Sequence, residues 1–579
     1  MFARDECEQM KPPETHSVAA AYLALLAERG VEYLFGNAGT DFAPLIEAFA
    51  QATQTGGAAP RPMLATHENL AVSMAHGYAM VSRRIPAVMV HVSVGTANMV
   101  CGAINAAREN VAILLTAGRS PLTEGGLPGA RDGYIHWAQE MFDQAGMLRE
   151  VVKWDYELRN GEQLATVVDR ALAIAASEPR GPVYLTLPRE VIAAPMPRPD
   201  GAARPFAAAG PPAPDANAIA AAARLLAQAR RPLIVTSNAG RDAAAFAALG
   251  EFAQRFAIPV VQHRPRYWSI ASSHPMNLGL EPARFVPEAD VILVLECDVP
   301  WIASRTSLRE DCKVIQAGID PLFSRYPIRG FPCDVAVAGG AAATVAALAA
   351  ALAPAVDADT VAQRRQRIAE ERKAVTARVQ SAAEAGTRKS PLDPAWVSHC
   401  IGRARDPRSI VVNEYTLFAE HCTFDEPDLY FGSSSASGLG WGAGAALGAK
   451  LARPERSVIA VLGDGAYMFS NPAAVHHAAA LHELPVLFVV MNNSMWGAVE
   501  RSTRAMYADG RAIKSNDPAF VRLKQLPAFE RICEAAGGYG ERVEDPAALP
   551  DALERALAVT ANEKRQALLN VMCGPGGTA

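Results

Sequence analysis

Val458-Ile459-Ala460-Val461-Leu462-Gly463-Asp464-Gly465 carries an apolar run straight into a carboxylate held between two glycines. After a helical stretch comes Pro485-Val486-Leu487-Phe488-Val489-Val490-Met491-Asn492-Asn493, a second apolar run that also ends in polar residues. Short β-branched runs bounded by turn chemistry read as strands buried on both faces, the habit of parallel sheets. Ligands of open α/β sheets collect outside the carboxyl ends of the strands, so Asp464 and Asn493 are expected to meet although 29 residues separate them. A carboxylate and an amide oxygen, with one backbone carbonyl, suit a hard divalent cation such as Mg2+, which takes its remaining oxygens from phosphates and water. Taken singly, Gly-Asp-Gly and Asn-Asn are also ordinary βα turns.

The same rhythm extends outward. Pro86–Val92, Thr96–Arg108 and Val111–Thr116 read as strand, helix, strand, and Pro232–Thr236, Ala243–Phe256, Pro259–Gln262, Val291–Leu295 and Lys313–Gln316 repeat the pattern. Ser409–Asn413 precedes the two runs quoted first. Two seams divide these blocks. Residues 194–216 are dominated by proline, alanine and glycine and read as a linker. Between Pro354 and Pro394 the charged run Gln363 to Arg378 reads as a solvated helix before a turn-rich stretch. The expectation is therefore three doubly wound parallel-sheet α/β domains, 1–193, 217–353 and 390–579, of which the first and third share a fold without sharing sequence.

Composition narrows the function. Half of the 579 residues are apolar and a fifth charged, which fits a folded globular chain. With 55 basic and 60 acidic residues there is no electrostatic footprint for nucleic acid. No membrane span is expected, since no stretch offers about 18 uninterrupted apolar residues. Nine scattered cysteines (Cys7, Cys101, Cys297, Cys312, Cys333, Cys400, Cys422, Cys533, Cys573) without a C-x-x-C pair argue against a disulfide framework or a zinc site. Residues 1–15 lack an apolar leader core, and the expected location is the cytoplasm.

Gly-Asp-Gly followed about 30 residues later by Asn-Asn resembles the cofactor signature of the thiamine diphosphate-dependent enzymes. Ala65-Thr66-His67-Glu68-Asn69-Leu70-Ala71-Val72 resembles the segment that supplies their activating glutamate, and Phe35-Gly36-Asn37-Ala38-Gly39-Thr40 their first strand and loop. Gly181-Pro182-Val183-Tyr184-Leu185-Thr186-Leu187-Pro188 resembles the end of their first domain. The likeness spans the chain in the order pyrimidine-binding, central and diphosphate-binding domain. Within the 2-oxo acid decarboxylase and acetohydroxyacid synthase superfamily it is strongest toward the benzoylformate decarboxylase branch. There, Val90-His91-Val92-Ser93-Val94-Gly95-Thr96 and Ser272-Ser273-His274-Pro275 resemble the segments bearing two active-site histidines.

The resemblance implies thiamine diphosphate and Mg2+ as cofactors, bound through Glu68, Leu439, Gly463, Asp464, Gly465 and Asn493, with Asp464, Asn493 and Met495 on the metal. Leu439, in Gly438-Leu439-Gly440, stands where a bulky aliphatic residue props the cofactor. Glu68, His91 and His274 are the implied catalytic residues, the histidines because imidazole titrates near neutrality. Thr40, His91, His274, Trp496, Val499 and Ser502 would line the substrate pocket. Val499 and Ser502 replace leucine and phenylalanine, which argues against benzoylformate itself.

The implied reaction is decarboxylation of a 2-oxo acid to an aldehyde, with carboligation as a further outcome. The alternatives are an acetohydroxyacid-synthase-like carboligase, a hydroxyacyl lyase, or a non-catalytic cofactor-binding subunit. The resemblance also implies a homodimer or homotetramer, the first domain of one copy facing the third of another. FAD or an adenine nucleotide in the central domain stays open, with Asn238-Ala239-Gly240 and Gly318-Ile319-Asp320 as contacts.

Three plainer readings complete the inventory. Gly442-x-Gly444-x-x-x-Gly448 lacks dinucleotide spacing and reads as close helix packing. His67 reads as a helix N-terminal residue, and His476-His477 as a partly solvated helix face.

Overall fold

The computed structural model describes residues 15–197, 204–515 and 517–574. Cys7, the segment 1–14 and part of the expected linker lie outside them. The described cysteines are all free thiols.

Three parallel sheets form as the apolar runs predict. The first domain contains β1 (Thr15–Ser17), β2 (Tyr33–Gly36), β3 (Arg61–Leu64), β4 (Ala87–Val90), β5 (Leu114–Arg119), β6 (Asp155–Glu157), β7 (Val183–Pro188) and β8 (Pro195–Pro197). β1 and β8 pair antiparallel by themselves, and the other six order as β3-β2-β4-β5-β7-β6. The central domain has β9 (Pro232–Thr236), β10 (Val260–Gln262), β11 (Val291–Leu295), β12 (Lys313–Gly318) and β13 (Val335–Ala338), in the order β10-β9-β11-β12-β13. The third has β14 (Ile410–Glu414), β15 (Tyr430–Gly432), β16 (Val458–Gly463), β17 (Leu487–Asn492), β18 (Tyr539–Val543) and β19 (Ala567–Met572), ordered β15-β14-β16-β17-β19-β18. Counted from its own first parallel strand, the third sheet has the same order as the first.

Burial explains why these segments are strands. Every residue of β4, β9, β11 and β17 is buried, as helices on both faces of a parallel sheet require. Register is set residue by residue, with Val461 beside Val489 and Gly463 beside Met491, so the polar ends of β16 and β17 stop at one level. Each sheet has a switch point where the winding reverses, between β2 and β4, between β9 and β11, and between β14 and β16. Crevices open at such switch points.

Packing divides the chain into two compact units, one comprising residues up to Val72, Arg84–Ala176 and Arg180–Ala209, the other Ser73–Arg83, Ser177–Pro179 and Gly210–Ala579. The first unit holds the first sheet and the second unit the other two. Within the second unit a central-domain loop is pinned to the third domain. Gly432 donates its N–H to the Arg266 carbonyl at 3.0 Å, and Trp268 packs among Phe424 and Tyr430.

The charged run lies in the helix Ala358–Gly386, which is largely solvated, although Arg364 turns inward and donates to the carbonyls of Leu226, Ala229 and Phe256. Close packing accounts for the Gly442 and Gly448 spacing: a Cβ at Gly442 would overlap Leu462, and one at Gly448 the Met74 carbonyl. The His476-His477 pair departs from expectation. His477 is exposed, whereas His476 is buried and bonded to Tyr467 Oη at 2.7 Å and Gln566 Oε1 at 2.6 Å.

Candidate active site

At the switch point of the first sheet, the loop leaving β2 meets the residues that follow β4. Glu68 opens the helix Glu68–Ser82, whose start is capped by His67: its Nδ1 accepts the Asn69 N–H at 3.1 Å. The Glu68 side chain is buried, and both its oxygens are engaged. Asn37 Nδ2 donates to Oε1 and Asn98 Nδ2 to Oε2, each at 3.0 Å. A carboxylate held by two amides is fixed in orientation. Neither asparagine was a candidate from sequence, since each is an unremarkable polar residue until the fold joins positions 37, 68 and 98.

His91 ends β4, and its Nδ1 lies 2.6 Å from Asp41 Oδ1. That carboxylate raises the imidazole pKa above its ordinary value, against the opposing effect of burial. His91 Nε2 faces Gln139 Nε2 at 3.2 Å. Thr40 is exposed at the start of the turn Thr40–Phe42, whereas its neighbour Asp41 points inward and is only 3% exposed. Asp41 is a third residue that sequence reasoning missed.

At the switch point of the third sheet, Asp464 follows β16 and Asn493 follows β17, as expected. The two side chains converge on one donor. The Met495 N–H lies 3.1 Å from Asn493 Oδ1 and 3.3 Å from Asp464 Oδ2, while Asp464 Oδ1 accepts the Gly465 N–H at 2.8 Å. Burial pushes the Asp464 carboxyl above the usual carboxylate range, although four backbone N–H groups pull it back. A cation beside it would reverse that shift.

The donor set fits magnesium bound through a diphosphate. It is all oxygen, and among the described residues no group of three His, Cys, Asp or Glu stands ready to enclose a metal by protein alone. A Cβ at Gly465 would overlap the Trp496 indole, so the missing side chain lets Trp496 pack directly against the backbone beside Asp464.

Glu414, at the end of β14, was not foreseen. Its buried carboxylate accepts the N–H groups of Gly440 at 2.9 Å and Gly442 at 2.7 Å. Gly440 sits at φ 86, which glycine adopts without strain, and heads the helix Trp441–Ala452. Glu414 thereby fixes the turn that carries half-buried Leu439. Val499 and Ser502 lie exposed on the helix Gly497–Met506, which buries no residue.

His274 is not brought to this cradle. Its Nδ1 accepts the Met276 N–H at 3.1 Å, and its ring lies against Gly250 on the helix Ala243–Phe256. The physical reason is the pinned loop, which binds Ser272 and Ser273 to Phe424 and Asp425 and turns the next residue toward the central domain.

The central switch point lies between Asn238 and Glu296, with the Asn238 N–H donated to the Glu296 carbonyl at 3.1 Å. The Glu296 carboxylate accepts the Ile319 N–H at 2.9 Å, and burial raises its pKa.

Comparison with known proteins agrees with this geometry. Residues 16–147, 219–348 and 412–571 match, in turn, the N-terminal thiamine pyrophosphate-binding, central and C-terminal thiamine pyrophosphate-binding domains of the thiamine pyrophosphate enzymes. Benzoylformate decarboxylase of Pseudomonas aeruginosa is 27% identical over 83% of this chain and 87% of its own. A probable 2-ketoarginine decarboxylase of the same species is 28% identical over 95% and 92%. The large subunit of acetolactate synthase from Haemophilus influenzae is 25% identical over 92% and 91%.

Among solved structures, benzoylformate decarboxylase from Polynucleobacter necessarius superposes with a TM-score of 0.78 at 19% identity, covering 97% of this chain and 99% of that one. The thiamine diphosphate-dependent 4-hydroxybenzoylformate decarboxylase of Rhodococcus jostii gives 0.75 at 21% identity, covering 96% and 99%. Those two likenesses concern the fold. The three matched domains together cover most of the sequence and stand in the family's order, and the chain belongs to the thiamine pyrophosphate enzymes.

Proposed function

We propose that this chain is a thiamine diphosphate- and Mg2+-dependent lyase that decarboxylates a 2-oxo acid to an aldehyde. The observation that carries the reading is Glu68, whose two oxygens are both held by asparagine amides at the switch point of the first sheet. When bound, the cofactor supplies the electron sink that lets carbon dioxide leave. Glu68 holds the proton on the aminopyrimidine ring nitrogen, and its two amide partners keep it aimed there. Asp464, Asn493 and the Met495 carbonyl would hold the metal and, through it, the diphosphate, with the Gly463 and Gly465 backbone on either side of Asp464. Leu439 supports the cofactor from below the turn fixed by Glu414. His91 carries a proton at Nε2 for the aldehyde-forming step, within a pocket to which Thr40 and Trp496 contribute.

Two copies of the chain supply the two halves of each site, in a homodimer or homotetramer. Exposed Val499 and Ser502 offer less apolar contact than leucine and phenylalanine would, a pocket edge that favours an aryl group less and points to an aliphatic 2-oxo acid. The central domain takes no part through a nucleotide in this reading, because Glu296 puts a buried carboxylate where an anionic phosphate would enter.

Acetolactate synthases among the relatives favour a second reading, carboligation of two 2-oxo acids. One experiment separates them. The purified protein with thiamine diphosphate and Mg2+ is offered a panel of aliphatic and aromatic 2-oxo acids, and carbon dioxide and products are followed. Aldehyde in equal amount to carbon dioxide supports the lyase, 2-hydroxyketone the carboligase. No release from any acid with cofactor bound refutes both and leaves a non-decarboxylating lyase or a non-catalytic subunit.

A further inference from the structure

We propose that Asp41 is the positioning residue of His91: it fixes Nδ1 as the nitrogen that keeps its proton and leaves Nε2 as the one that exchanges it. The inference rests on the reading above, in which His91 acts on the substrate, and adds to it the device that prepares the imidazole.

The pair is built from three strand ends. Asp41 comes from the loop after β2, His91 from the end of β4, and Gly118 from the end of β5. Asp41 Oδ1 sits 2.6 Å from His91 Nδ1, and Oδ2 accepts the Val92 N–H at 3.3 Å. Both oxygens thus face the same turn. Val92 is held at φ 30, in a region that β-branched residues avoid. Such strain persists where surrounding contacts over-determine it, and here the N–H of the strained residue is bound by Asp41.

Two glycines make the space. A Cβ on Gly39 would overlap the His91 ring, and one on Gly118 would overlap the Asp41 carboxylate. Neither glycine has a positive φ, so room for this pair, and not backbone freedom, is what their missing side chains provide.

The charge balance is equally specific. Leaving a buried carboxylate without a partner costs several kcal/mol. Among the described residues the only ion pair that Asp41 makes is with His91. The groups facing the imidazole are Asp41 and Gly39 from the loop after β2, Glu68 from its helix start, and Gln139. No cation stands among them, and the nearby carboxylates act in one direction, toward the protonated ring.

Gln139 accounts for the other nitrogen. Its Nε2 faces His91 Nε2 at 3.2 Å, a donor toward the lone pair of a neutral ring, while its Oε1 is buried with no hydrogen-bond partner. Turning the amide over presents Oε1 to Nε2–H once the ring is protonated. The Gln139 backbone stays anchored through this, its carbonyl accepting the Ser93 hydroxyl at 2.8 Å. Nε2 therefore has a partner in both protonation states, and Nδ1 needs only Asp41.

The test reads His91 directly and through turnover. Diethyl pyrocarbonate acylates neutral imidazole, so the pH dependence of His91 modification, followed by peptide mass spectrometry on the intact protein, gives its midpoint. The wild-type midpoint is expected above the ordinary histidine value. In Asp41→Asn it is expected to fall by about one pH unit or more, and the basic limb of kcat/KM for the best 2-oxo acid of the panel should fall with it. A merely structural role would lower turnover at every pH and move neither. A wild-type midpoint at or below the ordinary value overturns the proposal without any variant, and an unmoved midpoint in folded Asp41→Asn does the same. A moved midpoint with an unmoved kcat/KM profile overturns the catalytic reading of His91 and leaves Asp41 no reaction to serve. Asp41→Ser, smaller than the native side chain, replaces Asp41→Asn if the latter does not fold.

Discussion

Gly465 lies flat against the indole of Trp496, so close that a Cβ at 465 would penetrate the ring. The residue is held in the first turn after Asp464, and Trp496 follows the Met495 N–H on which Asp464 and Asn493 converge. Gly465→Ala must push the indole away and open the polypeptide between 493 and 496. The expected outcome is a loss of thiamine diphosphate affinity of at least tenfold, with little change in secondary structure. Titrating cofactor in the presence of Mg2+ against the intrinsic tryptophan fluorescence measures it, and unchanged affinity would show that the Trp496 contact does not shape the cradle.

Glu68 offers a sharper chemical test. Glu68→Gln keeps the shape but turns one acceptor into an NH2 group facing the Nδ2 donor of Asn37 or Asn98. It loses the negative charge and opposes one of the two donors. Turnover is expected to fall by about a hundredfold to ten-thousandfold, the range typical of a lost general acid–base group, while cofactor affinity changes by less than tenfold. Asn98→Ala, which frees one oxygen and leaves the charge, should cost less. Steady-state carbon dioxide release with cofactor at saturation checks both, and a normal rate in cofactor-loaded Glu68→Gln would remove Glu68 from the mechanism.

How much of this was legible in sequence depends on distance along the chain. The apolar runs ending at Asp464 and Asn493 fixed two adjacent strands and their polar ends, because a buried parallel strand leaves a continuous signal. Asp41 left none: an acidic residue after a threonine in a loop is common turn chemistry, and only the fold puts it beside His91, 50 residues on. Asn37 and Asn98 reach Glu68 by the same route. Glu414 was hidden differently, since it ends a strand whose apolar run stops two residues earlier, at Val412, and its partners are backbone N–H groups. For His274 the local motif carries no sign of its contacts, a hydrogen bond to the Met276 N–H and packing against Gly250, which only the folded loop shows.

His274 therefore carries its own prediction. Its Nδ1 is tied to the Met276 N–H and its ring packs against Gly250, and burial lowers its pKa below the ordinary histidine value. His274→Ala is expected to keep kcat within about threefold while losing about 1 kcal/mol of stability, the usual net worth of a hydrogen bond. Turnover and thermal melting measured on one preparation separate the two effects. A fall in kcat beyond a hundredfold with an unchanged melting temperature would return His274 to the active site.

Glu414 gives stability a definite pH dependence. Burial pushes its carboxyl up to about 7 from the ordinary 4.5, with the N–H groups of Gly442, Gly440 and Trp441 pulling the other way. The folded chain thus holds a proton on Glu414 that the unfolded chain releases between about pH 4.5 and 7. A group whose folded pKa is raised contributes its stability below the unfolded value and loses it as pH climbs through the folded one. A rise of this size corresponds to about 3 kcal/mol, lost across that window and level above it. Glu414→Gln cannot ionise, so its melting temperature should fall less than that of wild type between pH 5 and 7.5. At pH 5 the variant is the less stable, because its NH2 opposes one of the glycine N–H groups, and the two curves should approach each other as pH rises. Thermal melts at half-unit pH intervals check this; parallel curves would mean that Glu414 has the same pKa folded and unfolded.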